Sequence, residues 1–151
     1  MLNTWLFWAI LSAIFAALTA IFAKVGIDKI DSDFATLIRT IIIVLILALL
    51  VIFQEKWVNP FSLPLKSLVF LSLSAVATGI SWLCYFKALQ MGNAYQVTTV
   101  DKFSLVLVAI FAYLFLGERL SMIEWLGVAL TGTGVIENLI KKMFFKLLII
   151  H

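Results

Sequence analysis

Three charged side chains interrupt stretches of this chain that otherwise read as hydrocarbon: Arg39, Asp101 and Lys102. In such surroundings a guanidinium, a carboxylate or an ammonium costs a few kcal/mol or more unless it is paired, hydrated or able to reach headgroups, so these residues are the sharpest pointers to chemistry. Asp101 is suited to pair with Arg39 or Lys102 when a site is empty, and the cation left over would meet an anionic or zwitterionic solute. Trp82 and Tyr85 add two aromatic side chains to the same candidate pocket. These five residues are the candidate substrate-binding set. Other chemistry is thinly represented. Cys84 is the single cysteine, so no intrachain disulfide can form, and the single histidine, His151, is the last residue. No Ser/His/Asp constellation, phosphate-cradling glycine loop or metal-ligand spacing occurs. The expectation is a protein that is not an enzyme and uses no cofactor or metal.

The same residues also admit a purely structural reading. A lysine or arginine six or seven residues from a helix end can snorkel to the headgroups, and one aspartate can serve only to hold two helices together. Asp101 and Lys102, being adjacent, point about 100° apart on a helix, so they are not expected to face one spot.

The elements that must position these groups follow from hydropathy. About 20 predominantly apolar residues in a helix cross a hydrocarbon core, and windows near 5–23, 34–53, 67–89, 95–116 and 121–140 each approach that length. Lipid offers no solvent for unpaired backbone groups, and the windows are too continuous for barrel strands, so helices are predicted. The expected class is an all-α, multi-pass membrane protein with five transmembrane helices. One domain over 1–140 is expected, followed by a basic and apolar tail at 141–151, since the longest connector, Gln54 to Lys66, is too short for a core of its own. Hydrophobic residues make up 64% of the chain and charged ones 13%, against about a quarter in soluble domains. The net charge of +3 is scattered over helix ends rather than gathered on one face, which fits a membrane surface and excludes nucleic acid as a partner. Met1 to Leu18 lacks a basic leader and reads as the first span rather than a signal peptide.

With alternating crossings, Arg39, Asp101 and Lys102 share one level, roughly 9 to 10 Å below the face from which the second and fourth spans start, and Trp82 and Tyr85 reach roughly 10 and 6 Å. A pocket built from three helices is therefore expected. Trp5, Trp8, Trp57 and Trp125 all fall on the opposite face as an aromatic belt. Pro60 and Pro64 mark a loop, and Asp31, Ser32 or Asp33 is expected to cap the second helix. Small residues four apart, such as Ala9, Ala13 and Ala17, suit close helix packing. Basic residues number three on one face and six on the other, and removing the three tail lysines leaves a balance that fixes no orientation.

Particular strings carry more than hydropathy. The run LGERLSMIEWLGVALTGTGV at 116–135, with AKVGID at 23–28 and YFKALQMGNAYQVTTVDKFS at 85–104, resembles the EamA-type repeat of the drug/metabolite transporter superfamily. The LGER turn before a glycine-rich last span is its most specific part, and the likeness covers residues 5–138. The VDKFS segment is similar to a five-span bacterial and archaeal branch in which one repeat makes the protein. Leu105 stands near a place where many members carry proline, so no break of the fourth helix is expected there. The first span has no acidic residue, unlike the related small multidrug resistance group, so proton-for-cation drug exchange is not implied. The resemblance implies alternating access by two repeats of opposite orientation around a central site. For a single repeat with an odd span count it implies a homodimer, to which an antiparallel arrangement is open. The expectation is an inner-membrane transporter of a small polar metabolite. The competing expectation is a non-transporting membrane subunit that assembles with another membrane protein.

Overall fold

A computed structural model describes residues 4–149, with side-chain surroundings as far as residue 141. The long apolar runs are helical: α1 Thr4–Gly26, α2 Ser32–Phe53, α3 Leu65–Met91, α4 Ala94–Asp101, α5 Phe103–Phe111 and α6 Met122–Ile149. Asp31 caps α2 as expected, its Oδ1 accepting from the N–H groups of Asp33 at 2.9 Å and Phe34 at 3.1 Å. The far end of α2 closes with the N–H of Lys56 on the Val51 carbonyl and that of Glu55 on Ile52, the two bonds of a Schellman motif. Glu55 takes the left-handed position there at φ 55°, where glycine is usual. In the proline connector, Pro60–Ser62 forms one turn of 3₁₀ helix capped by the Asn59 side chain.

Two expectations about the spans are corrected. Among the described residues four helical segments, not five, are long and apolar enough to cross a membrane: Thr4–Gly26, Ser32–Phe53, Leu65–Met91 and the composite Ala94–Leu116. The expected fifth span exists as a helix, but Glu124, Thr131, Thr133, Glu137 and Asn138 dilute its apolar content. Opposed termini, which followed from an odd count, no longer follow. The composite fourth span is also interrupted, although no proline stands in it. At Lys102 the ladder switches register: its own N–H reaches the Thr98 carbonyl at 3.2 Å, while the N–H of Leu105 reaches back only three residues to the Lys102 carbonyl at 3.0 Å. A local 3₁₀ step of this kind inside a helix tightens the turn without a breaker residue.

The chain falls into two compact units, Met1–Met91 and Gly92–His151. In the first, α1 and α2 both pack on α3. Its buried residues, Ala20, Ile27, Ser32, Thr36, Phe86 and Leu89, gather where α1 turns into α2 and where α3 ends. Polar bonds tie that end: Lys24 Nζ donates to the Leu89 carbonyl at 2.6 Å, and Gln90 Nε2 to the Ile30 carbonyl at 3.1 Å. Thr36 and Thr40 return their hydroxyls to carbonyls four residues back, so neither leaves a donor unmet in an apolar span. Towards the opposite end Trp5, Trp8, Phe53 and Phe70 are exposed, as side chains that face lipid would be.

In the second unit α4 and α5 pack against α6, which runs antiparallel to them: Tyr95 Oη lies 3.4 Å from Asn138 Oδ1, and the Tyr113 and Trp125 rings meet at 6.2 Å. The segment Ala112–Leu116 widens into a π turn and ends at Gly117, whose φ of 68° is left-handed. The LGER turn thus owes its glycine to backbone geometry, since an added Cβ there would meet nothing within 4 Å. Ser121 and Glu124 then form a capping box: Glu124 Oε2 accepts from the Ser121 N–H at 2.6 Å and hydroxyl at 2.8 Å. Those two bonds, the backbone one first, hold the Glu124 carboxyl below its ordinary range.

Candidate functional site

Arg39 stands on the third turn of α2, and its surroundings decide what it can do. The guanidinium carbon lies 4.6 Å from the centre of the Trp82 ring and 5.1 Å from that of Phe86, both on α3. Trp82 and Phe86 are four residues apart and so share one face of their helix. That face is turned to α2, the neighbour against which α3 packs.

Depth separates this arrangement from snorkelling. At about 1.5 Å per residue, Arg39 lies about 10 Å below the start of α2, while Trp82 and Phe86 lie about 13 and 7 Å below the end of α3. The two helix ends are level, since Gln90 bonds Ile30 and Lys24 bonds Leu89. A helical side chain leans towards its own N-terminus, which on α2 is the direction of the nearer surface. Instead of following that lean to the headgroups, the guanidinium crosses sideways between two rings. Each cation–π contact is worth about 0.5 to 2 kcal/mol, rising with desolvation, which offsets part of the cost of the charge. Among the described residues Arg39 has no ion pair, so its planar N–H edge remains available to an acceptor.

Beside it a cleft of about 380 Å³ opens between α1 and α2. Thr19, Phe22, Ala23 and Gly26 line it from α1, Ile38, Arg39, Ile42 and Ile43 from α2, and Phe86 from α3. Tyr85 is half-buried next to these groups, its ring meeting that of Phe86 edge-on at 6.3 Å. Of the five candidates read from the sequence, Arg39, Trp82 and Tyr85 therefore belong to the first unit, where Arg39 and Trp82 are in contact. Phe86 and the cleft were not anticipated. The four-residue spacing of Trp82 and Phe86 was the signal that would have found the second ring.

Asp101 and Lys102 belong to the second unit and sit at the interruption between α4 and α5. Of the two partners open to Asp101 it is Lys102 that it meets, although neighbours on a helix diverge: Lys102 Nζ is 3.8 Å from Asp101 Oδ2. The ammonium's long stem spans the 100° between them, and the helix is not regular at this point. Their side chains are 39% (Asp101) and 53% (Lys102) exposed, so the pair is open rather than sealed.

Comparison with known proteins bears on the whole chain. The model of a family described as the EamA-like transporter family matches residues 3–139. A Sinorhizobium sp protein described as an uncharacterized transporter in the cobO 3' region is 53% identical over 136 residues, which covers 90% of this chain and 96% of that protein. No solved structure matches.

Proposed function

The chain belongs to the EamA-like transporter family, and from that premise we propose that it moves a small polar metabolite across the inner membrane by alternating access, as a dimer of single repeats. Membership and the transporter-named relative support a multi-pass membrane transporter rather than an enzyme. The observation that carries the proposal to residues is Arg39, held about 10 Å deep between Trp82 and Phe86 beside a cleft, with no ion-pair partner among the described residues. A cation kept at that depth by stacking, rather than neutralised, is what a site for a polar solute requires. Phe86 lines the cleft from α3, and Trp82 and Tyr85, which adjoin Arg39 and Phe86, are proposed as further contacts of the solute. Within the second unit, Asp101 and Lys102 are the proposed solute-contacting groups, an open pair placed where the helical ladder departs from regularity. Alternating access needs two halves that rock about a site, and in transporters those halves are commonly repeats of one fold. A second copy of this chain would supply the other half.

The test places purified protein in liposomes loaded with a mixed metabolite pool and compares release from wild type, Arg39→Ala and Asp101→Asn by mass spectrometry. Selective release that both substitutions abolish is the expected result. Absence of release from folded, inserted wild-type protein would sink the reading and assign the chain to a membrane assembly as a non-transporting subunit. Cross-linking in the same liposomes reads the dimer.

A further inference from the structure

The cleft of the first unit is chemically one-sided. Among the described residues that line it, Arg39 is the one charged group and Thr19 the one other polar side chain, against Gly26, Ile38, Ile42 and Phe86. No carboxylate lines it, so nothing there would receive an ammonium group. The guanidinium carbon lies over the Trp82 and Phe86 rings, no carboxylate among the described residues pairs with it, and a planar fork of N–H groups matches a carboxylate in two parallel hydrogen bonds. The volume of about 380 Å³ falls at the small end of ligand sites, which run from about 300 to 1,000 Å³.

Resting on the transport reading above, we propose that the solute class of this site is an organic monoanion, whose carboxylate engages Arg39 while an aromatic or branched apolar body lies in the cleft between α1 and α2. A zwitterion fits poorly, because its ammonium would be desolvated against isoleucine and phenylalanine with no carboxylate lining the cleft to offset its charge. A dianion would leave one charge unmet by the single guanidinium. An anionic lipid shares the headgroup chemistry but not the depth, since its phosphate lies at the surface and Arg39 is held sideways about 10 Å below it.

Probes that share one body and differ in charge test the assignment: phenylacetate, L-phenylalanine and phenylacetamide, titrated calorimetrically into the full chain in nanodiscs of neutral phosphatidylcholine. Phenylacetate is expected to bind roughly tenfold or more tightly than either of the others, and Arg39→Gln to weaken it by roughly tenfold or more, as loss of a charged hydrogen-bonding partner does. Gly26→Leu keeps the cation and projects into the cleft that Gly26 lines; its Cβ meets nothing within 4 Å. It is expected to weaken phenylacetate comparably with unchanged thermal unfolding. Equal binding of L-phenylalanine, indifference to both substitutions, or no binding of phenylacetate at all would overturn the proposal. So would Arg39-dependent retention of phosphatidylglycerol in place of phenylacetate, which would give the cation to a lipid. The transport reading fails separately. Binding through Arg39 without release of any solute from liposomes removes transport and leaves the site, whereas release of other solutes without phenylacetate binding removes the solute class and leaves transport.

Discussion

Coupling between Arg39 and Trp82 is the physical claim on which the site stands, and a double-mutant cycle measures it. Arg39→Met keeps an unbranched stem of similar reach and removes the charge; Trp82→Leu removes the nearer ring. The guanidinium carbon is 4.6 Å from one ring centre and 5.1 Å from the other, both inside the distance of about 6 Å at which cation–π attraction operates. For a half-buried pair each ring contributes about 1 kcal/mol, with tryptophan the stronger. Phe86 remains in the Trp82→Leu protein, so the cycle should return about 1 kcal/mol rather than the sum of both rings, a factor of about five in the unfolding equilibrium. Arg39→Met alone should be close to neutral or stabilising, because removing a desolvated cation compensates for the lost stacking. The assay is reversible unfolding of the four proteins in mixed micelles by denaturing detergent, followed by far-ultraviolet circular dichroism. A coupling within about 0.3 kcal/mol of zero, below the usual scatter of additivity, would mean that the cation reaches the headgroups and that Trp82 is packing alone.

Four further outcomes rest on particular contacts. Gly117→Ala should cost about 1 to 2 kcal/mol because φ is 68° there, and Glu55→Gly should stabilise by about 0.5 to 1 kcal/mol because a side chain occupies the glycine position of a Schellman motif; thermal unfolding reads both. Lys24→Met should loosen the packed end of the first unit by about 1.5 to 3 kcal/mol, the worth of a charged hydrogen bond to the Leu89 carbonyl, with Lys24→Arg recovering part; amide exchange at Leu89 to Met91 reports it. The backbone and hydroxyl bonds from Ser121 hold the Glu124 carboxyl below its ordinary range, so its contribution to the start of α6 is complete above the ordinary glutamate pKa and disappears as pH falls through the lower folded one; amide exchange near Ser121 should show this acid loss, and Glu124→Gln should abolish the pH dependence.

Much of this protein was legible before any coordinates because lipid leaves few options. Continuous apolar windows had to be helices, one of Asp31, Ser32 and Asp33 had to satisfy the start of α2, and LGER with its glycine-rich sequel pointed to the family that the comparison established. Depth counting put Arg39 and Trp82 at one level, where they meet. The count of spans failed where composition is mixed: α6 continues to Ile149 as a helix, yet its glutamates, threonines and asparagine keep it below the apolar content of a span. The break at Lys102 was hidden because no proline signals it. The register shift lies in which carbonyl Leu105 selects, a matter of tertiary packing rather than residue type.

The capping box S-x-x-E was in the sequence throughout, since it is a local pattern of fixed spacing. The cleft was not. Its lining comes from residues 19 to 43 together with Phe86, which no periodicity links. The sequence by itself determined that a charge lies at a given depth in an apolar helix, because depth is residue count times rise. Only the tertiary structure decided that this charge is stacked rather than paired or snorkelled, because side-chain direction depends on which helix packs against which face.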